Sequence, residues 1–128
     1  MSELKYERFN ICKKAKIPTA QSETFYEESK AIAYIKRKNV PIVVKADGLA
    51  AGKGVYICKS KLDAINAVNE IFDGKFGKAE VILVEEFLIG EEMSYFIICD
   101  GKEYKSFQTA QDHKRVGEAD TGPNTGGM

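Results

Sequence analysis

A lysine lies inside an apolar run of this 128-residue chain, where it could bind a phosphate group. The run at residues 42–46 reads Ile-Val-Val-Lys-Ala, and strand alternation places Lys45 on the same face as Val43. Because a lone buried ammonium is costly, Lys45 needs an anionic partner, and a phosphate would provide one. The glycines that follow leave the backbone free to bring its N–H groups against phosphate oxygens. The predicted phosphate-binding residues of this loop are Gly48, Gly52, Lys53 and Gly54.

The spacing of this loop differs from two common phosphate-binding motifs. A Walker A loop has four residues between its first glycine and its Gly-Lys pair, whereas three residues separate Gly48 from Gly52, and Gly54 follows Lys53. A dinucleotide-binding fingerprint needs a third glycine three residues after Gly54, and that residue is Ile57. With both motifs excluded, the segment is interpreted as a phosphate-binding loop between two strands. The alternative is an ordinary hairpin loop whose charges are solvated.

Two further segments carry charged residues in patterns suited to nucleotide binding. Residues 85–92 contain four carboxylates, and the backbone of 86–88 could offer N–H and C=O groups to a purine edge while Glu92 accepts from ribose hydroxyls. Residues 110–115 end in three adjacent donors that could clamp a phosphate or a carboxylate, and Asn124 follows on a glycine-rich turn. For both segments, a solvated charged turn is the alternative. The spacing of the four carboxylates does not favour paired acid and base catalysis of hydrolysis.

The elements that must position these residues follow from apolar periodicity and from turn signals. We predict helices over 4–16, 27–38 and 62–72, and strands over 42–46, 55–58, 81–87, 93–100 and 103–109. Ser60 followed by Asp63 predicts a capping box at the start of the third helix. Asp100-Gly101 predicts a two-residue hairpin turn. After Ala110 the chain is polar and glycine-rich, and no element is predicted there.

Composition indicates a globular protein with neither a nucleic-acid-binding nor a membrane-spanning role. Lys plus Arg and Asp plus Glu both number 19, so a net charge of zero provides no basic field for nucleic acid or an anionic membrane. The apolar runs are far shorter than the roughly 20 residues that span a bilayer. Three scattered cysteines and one histidine predict neither a disulfide framework nor a zinc site. We expect a cytoplasmic protein of one compact domain or a piece of a larger one.

Taken together, the segments resemble the ATP-grasp ligases and, more narrowly, the phosphoribosylamine–glycine ligase family. The similarity lies in the strings KIPTA at 16–20, VVKADGLAAGKGV at 43–55, EEFL at 85–88, GEEMS at 90–94, AQDHKR at 110–115 and DTGPNTGGM at 120–128. The resemblance implies an α+β ATP-grasp fold. Residues 1–16 would be a helical lead-in, residues 17–88 the small lid subdomain with an antiparallel sheet and two helices, and residues 89–128 the truncated start of the central subdomain.

The resemblance also implies a role for each predicted site residue. Lys45 would contact the nucleotide phosphates, and the loop 48–54 would close over them. The remaining implied residues are Glu85, Glu86, Phe87 and Leu88 for an adenine-binding hinge, Glu92 for the ribose, and Arg115 and Asn124 as catalytic residues at the phosphate end. The family has an additional phosphate-binding lysine near the start of this region. Lys5 is the candidate by position, although the surrounding segment 4–8 matches the family pattern poorly.

In such enzymes ATP phosphorylates the carboxylate of glycine, and the amine of 5-phosphoribosylamine attacks the acyl phosphate to give the amide, ADP and phosphate. The ligands for Mg²⁺ or Mn²⁺ are expected beyond residue 128, as is the part that binds 5-phosphoribosylamine, and none of the present residues is predicted to hold a metal. The chain is therefore expected to be a fragment that needs the missing C-terminal part for turnover. Another ATP-grasp ligase and a non-catalytic nucleotide-binding module are the open alternatives.

Overall fold

The computed structural model describes residues 5–47, 54–77, 81–110, 115–117 and 121–124. The chain divides into two compact units, Met1–Leu88 and Ile89–Met128. The first unit contains helices α1 (Lys5–Lys14), α2 (Glu28–Arg37) and α3 (Lys61–Phe72), and strands β1 (Ser22–Phe25), β2 (Ile42–Ala46), β3 (Val55–Cys58) and β4 (Ile82–Glu86). The second contains strands β5 (Ile97–Cys99), β6 (Tyr104–Ser106), β7 (Arg115–Gly117) and β8 (Thr121–Asn124). None of the described helices is long and apolar enough to cross a membrane.

The first unit is a four-stranded antiparallel sheet in the order β1-β4-β2-β3. Strands β2 and β3 have the predicted bounds and pair with each other, because each is a short apolar run limited by turn residues. Strand β4 lies between β1 and β2, so the chain crosses over to reach the middle of the sheet. This arrangement confirms the predicted α+β class.

The hydrophobic core lies between one face of this sheet and helices α2 and α3. Alternate residues of the central strands point into the core, and small residues such as Ala31 and Ala64 let the helices approach closely. The fully or nearly fully buried core residues are Ala31, Ile35, Ile42, Val44, Ala46, Cys58, Ala64, Ala67, Val68, Ile71, Ile82 and Val84. Lys45 alternates with these residues and therefore lies on the opposite face of β2, which it shares with Val43 as predicted.

The start of α3 shows the predicted capping box. The Ser60 hydroxyl accepts a hydrogen bond from the Asp63 N–H at 3.1 Å, and the Asp63 carboxylate accepts one from the Ser60 N–H at 3.1 Å. These two bonds satisfy donors that a helix leaves unpaired at its first turn. Helix α3 is thereby fixed at the end of β3, which it follows after two residues.

The second unit departs from the predictions in three ways. The hairpin β5–β6 is present but shorter than predicted, because the register shifts by one residue before the bridge between Ser94 and Ala110. Its turn centres on Gly101 and Lys102, one residue later than predicted, since the Asp100 carboxylate accepts from two following backbone N–H groups. The antiparallel pair β7–β8 was not predicted, because the Thr-Gly-Pro-Asn sequence of β8 has low strand propensity.

Candidate functional site

An ion pair joins two of the predicted site residues on the sheet face that α2 and α3 do not cover. In the ladder between β2 and β4, Val43 is the register partner of Glu85, and Lys45 is the register partner of Leu83. Lys45 Nζ and Glu85 Oε2 are 2.6 Å apart. Glu85 is 5% exposed, whereas the Lys45 side chain retains 26% of its exposure. Glu85 therefore provides the anionic partner that a lysine within an apolar run requires.

The second carboxylate oxygen of Glu85 has a different environment. Glu85 Oε1 is buried and has no hydrogen-bond partner among the described residues. Buried polar atoms in folded proteins are nearly always hydrogen-bonded, and an exception calls for a specific explanation. A carboxylate oxygen accepts hydrogen bonds, so a group that completes this site must bring a donor.

The backbone beside Lys45 is tied to neighbouring segments. The Ala46 N–H donates to the carbonyl of Gly54 at 2.8 Å, which closes the two ends of the glycine-rich loop. The Asp47 N–H donates to the carbonyl of Val81 at 3.0 Å, just before β4. Gly54 is buried, and the remaining predicted loop residues, Gly48, Gly52 and Lys53, lie outside the described residues. The described ends of the loop are thus held at the end of the strand that carries Lys45.

Helix α1 brings a second lysine to this end of β2. Lys5 Nζ donates to the Ala46 carbonyl at 2.6 Å, and the Lys5 backbone N–H donates to Asp47 Oδ1 at 2.6 Å. The ring of Phe9, one turn further along α1, lies 5.9 Å from Lys45 Nζ. Because Lys5 is partly desolvated, its pKa is lowered, and nearby Lys45 lowers it further while the Asp47 carboxylate opposes the shift.

The contribution of α1 was not predicted from the sequence, which left the role of Lys5 undecided. Lys5 lies 41 and 42 positions before its partners Ala46 and Asp47, and the sequence near Lys5 contains no motif that points to Asp47. The one available signal was the presence of a lysine in the first turn of the first predicted helix. The structure gathers Lys5, Lys45 and Glu85 at one place on the sheet face opposite α2 and α3.

The predicted hinge begins at the end of β4. The Glu86 N–H donates to the Gln21 carbonyl at 2.8 Å, and Glu86 Oε2 accepts from the Gln21 N–H at 3.2 Å. Phe87 and Leu88 continue the chain beyond the strand, and Leu88 is largely exposed. A cavity of about 340 Å³ borders Glu85 and Glu86, whereas a larger groove of about 760 Å³ between α1 and β1 contains none of the predicted site residues.

The remaining predicted site residues belong to the second unit. Glu92 is exposed and precedes the Ser94–Ala110 bridge. Arg115 and Asn124 are register partners in the β7–β8 ladder, so the backbone brings the two predicted catalytic positions directly opposite each other. In the described part of the chain, no cluster of three or more His, Cys, Asp or Glu residues could hold a metal ion.

Comparison with known proteins adds an independent finding to this geometry. The family model described as "Phosphoribosylglycinamide synthetase, ATP-grasp (A) domain" matches residues 4–128. The chain belongs to this family. The predicted family resemblance is thereby confirmed.

Curated relatives of this ATP-grasp domain carry the same enzyme name. The chain is 54% identical over 120 residues to the phosphoribosylamine–glycine ligase of Brucella melitensis, a match that covers 93% of this chain and 28% of the relative. It is 52% identical over 121 residues to the chloroplastic phosphoribosylamine–glycine ligase of Arabidopsis thaliana, covering 93% of this chain and 23% of the relative. The chain thus spans about a quarter of the length of these relatives.

A solved structure agrees with the fold of this ATP-grasp domain. The crystal structure of phosphoribosylamine–glycine ligase from Thermotoga maritima matches with a TM-score of 0.89 and 35% sequence identity. The match covers 99% of this chain and 33% of the Thermotoga chain. The predicted α+β ATP-grasp fold is therefore confirmed, and the similarity extends over both units.

Proposed function

We propose that this chain is the ATP-binding portion of a ligase that joins glycine to 5-phosphoribosylamine in purine biosynthesis. In this reaction the γ-phosphoryl group of ATP passes to the glycine carboxylate, and the amine of 5-phosphoribosylamine displaces phosphate from the acyl phosphate to form the amide. The products are the amide, ADP and phosphate. Positioning and charge neutralisation supply most of the catalysis in such phosphoryl transfers.

The observation that carries the proposal is the partly buried Lys45–Glu85 pair. The Lys45 ammonium has three donors, of which Glu85 Oε2 accepts one at 2.6 Å, so two others suit phosphate oxygens. Glu85 Oε1 is buried and lacks a donor, and the exocyclic amino group of adenine would supply one. Lys45 is therefore suited to the phosphate end of the nucleotide, and Glu85 is suited to its adenine end.

Lys5 extends the cationic side of this site. Its ammonium donates to the Ala46 carbonyl, next to the strand residue Lys45. A phosphate group would satisfy both ammonium groups, and the backbone N–H groups of the loop 48–54 would add neutral donors. We therefore include Lys5 with Lys45, Gly48, Gly52, Lys53 and Gly54 in the proposed phosphate-binding set.

The other roles follow the family pattern position by position. Glu85, Glu86, Phe87 and Leu88 form the proposed adenine hinge, which is consistent with the end of regular sheet pairing after Glu86. Glu92 is proposed to accept from the ribose hydroxyls. Arg115 and Asn124 are proposed to act at the phosphate end, a role that their position as register partners supports.

ATP-grasp ligases in general also use a divalent metal ion, and for this enzyme we propose Mg²⁺ or Mn²⁺. The ion would neutralise phosphate charge. The described residues offer no set of acidic ligands for it, so its ligands are proposed to come from another part of the ligase.

A cytoplasmic location is proposed because all three cysteines are free, as is typical of a reducing compartment.

The second unit supports the proposal that the rest of the ligase packs against this chain. In the β5–β6 hairpin, Phe96, Ile98 and Phe107 lie on one face, and Tyr95, Ile97 and Tyr104 lie on the other. Each of these side chains is more than half exposed. An isolated two-stranded hairpin with two apolar faces is marginal in water, whereas a sheet covered on both sides buries such faces.

Nucleotide binding is tested by titrating the folded chain with ATP and Mg²⁺ in a calorimeter, with GTP in a parallel titration. We expect ATP to bind at least tenfold more tightly than GTP, a difference of about 1.4 kcal/mol, because the 6-oxo group of guanine would place an acceptor against Glu85 Oε1. The double variant Lys45→Met with Glu85→Gln leaves no unpaired buried charge and should lose this binding. Lys30→Ala, which removes an exposed ammonium from an unrelated ion pair, is the matched control and should bind as the unaltered chain does.

Equal affinity for ATP and GTP, or unchanged ATP binding by the double variant, would contradict the proposed site. The ligase reaction is tested by mixing the chain with a polypeptide that carries the rest of a related ligase. ADP release that requires both glycine and 5-phosphoribosylamine should appear only in the mixture. Turnover by the chain alone would contradict the proposal that catalysis needs the rest of the ligase. ATP binding without turnover in the mixture would favour a non-catalytic nucleotide-binding module.

A further inference from the structure

The first turn of α1 is held by a carboxylate from a distant part of the chain. Asp47 Oδ1 accepts the backbone N–H of Lys5 at 2.6 Å, although the two residues are 42 positions apart. The first N–H groups of a helix have no partner within the helix, and a carboxylate placed at them is favoured by both hydrogen bonding and the helix dipole. Asp47 therefore acts as a helix cap supplied by the segment that leads into the glycine-rich loop.

Asp47 is itself fixed by the sheet. Its backbone N–H donates to the Val81 carbonyl at 3.0 Å, immediately before β4. The preceding residue, Ala46, is hydrogen-bonded at its N–H to Gly54 and at its carbonyl to Lys5 Nζ. Two hydrogen bonds thus connect Lys5 to consecutive residues at the end of β2, one through its backbone and one through its side chain.

This double attachment determines where the Lys5 ammonium lies. A lysine side chain has four rotatable bonds, so its ammonium is placed only if its backbone is placed. The side-chain bond to the Ala46 carbonyl is one that an incoming phosphate would compete with, whereas the backbone bond to Asp47 would persist. Asp47 is therefore the contact that keeps Lys5 near Lys45 while the ammonium changes partner.

We propose that Asp47 is a positioning residue of the nucleotide site, which holds α1 so that Lys5 and Lys45 act together on the nucleotide phosphates. The proposal rests on the proposed ATP-binding function. It assigns to Asp47 a geometric role, in which the place of its oxygen matters more than its charge. Two conservative variants separate these properties, because Asp47→Asn keeps an acceptor oxygen in place without the charge, and Asp47→Glu keeps the charge but moves it by one methylene.

The experiment measures ATP affinity and amide hydrogen exchange in the full 128-residue chain. Asp47→Glu should weaken ATP binding by about tenfold and speed exchange at the Lys5 amide, whereas Asp47→Asn should stay within about twofold of the unaltered chain in affinity. In a Lys5→Ala background, Asp47→Glu should have no further effect on affinity, because the residue acts through Lys5. Asp73→Ala removes an exposed carboxylate elsewhere in the same unit and should change neither measurement.

The outcomes distinguish this proposal from the broader one. If Asp47→Glu binds ATP like the unaltered chain, or if its effect simply adds to that of Lys5→Ala, the positioning role is wrong while the ATP site stands. If Asp47→Asn is as weak as Asp47→Glu, the charge of Asp47 matters and the geometric role is wrong. Absence of saturable ATP binding by the unaltered chain would overturn the proposed function and this inference with it.

Discussion

Removal of the Lys45 side chain should destabilise the first unit, quite apart from any effect on nucleotide binding. In Lys45→Ala the carboxylate of Glu85 would lose its partner at Oε2, and Oε1 already has none among the described residues. Glu85 is only 5% exposed, so water cannot readily replace the lost ammonium. The variant would therefore leave an uncompensated charge between the central strands of the sheet.

The size of the effect follows from the burial of the two partners. Breaking a fully buried ion pair by removing one partner costs about 3 to 5 kcal/mol. Because the Lys45 side chain keeps 26% of its exposure, we expect the lower limit, about 3 kcal/mol. For a unit of this size, each kcal/mol shifts the melting temperature by about 4 to 8 °C, so the expected decrease is about 12 to 24 °C.

The assay is urea denaturation followed by the helical signal in far-ultraviolet circular dichroism. All three described helices belong to the first unit, so this signal reports the unit that contains the pair. The double variant Lys45→Met with Glu85→Leu should recover to within about 1 kcal/mol of the unaltered chain, because no charge is then buried. Lys30→Ala, which breaks an ion pair whose side chains are 69% and 58% exposed, should cost less than about 1 kcal/mol.

A loss in Lys45→Ala as small as that in Lys30→Ala would refute the reasoning. It would mean that water reaches Glu85 in the folded chain and that the pair is not buried in solution. A double variant as unstable as Lys45→Ala would also contradict it. In that case the lost packing of the lysine stem, and not the unpaired carboxylate, would be the cause.

Three further predictions concern the capping box of α3 and the buried thiol of Cys58. Ser60→Ala should lower the free energy of unfolding by about 1 kcal/mol in urea denaturation, because the Asp63 N–H loses its cap, and an unchanged midpoint would contradict this. Burial raises the pKa of the Cys58 thiol to about 11, so a thiol reagent at pH 8 should modify exposed Cys99 first and Cys58 only on unfolding. The Cys58 thiol ionises near pH 9 in the unfolded chain but only near pH 11 in the folded chain, so the folded state should lose stability as the pH rises from 9 to 11. Over that range the melting temperature of Cys58→Ala should fall less than that of the unaltered chain.

Local features of the first unit could be predicted from the sequence because their causes lie within a few residues. The bounds of β2 and β3 follow from short apolar runs limited by glycine, proline and lysine, and the capping box of α3 needs only Ser60 and Asp63. The family could also be predicted, since its motifs are contiguous strings. In the second unit the same reasoning missed β8, because glycine and proline in a strand carry no local signal for it.

The partners of the candidate site residues were decided by the tertiary structure. Sequence alternation placed Lys45 on the same strand face as Val43, where its charge requires an anion, but only the order β1-β4-β2-β3 places Glu85 beside it. In the same way, only the docking of α1 brings Lys5 to Asp47, and only the β7–β8 register sets Arg115 opposite Asn124. The sequence by itself determined which residues are fit for phosphate chemistry, because charge and strand period are local properties. The fold decided which of them meet, because strand order and helix docking depend on how the whole apolar core is buried.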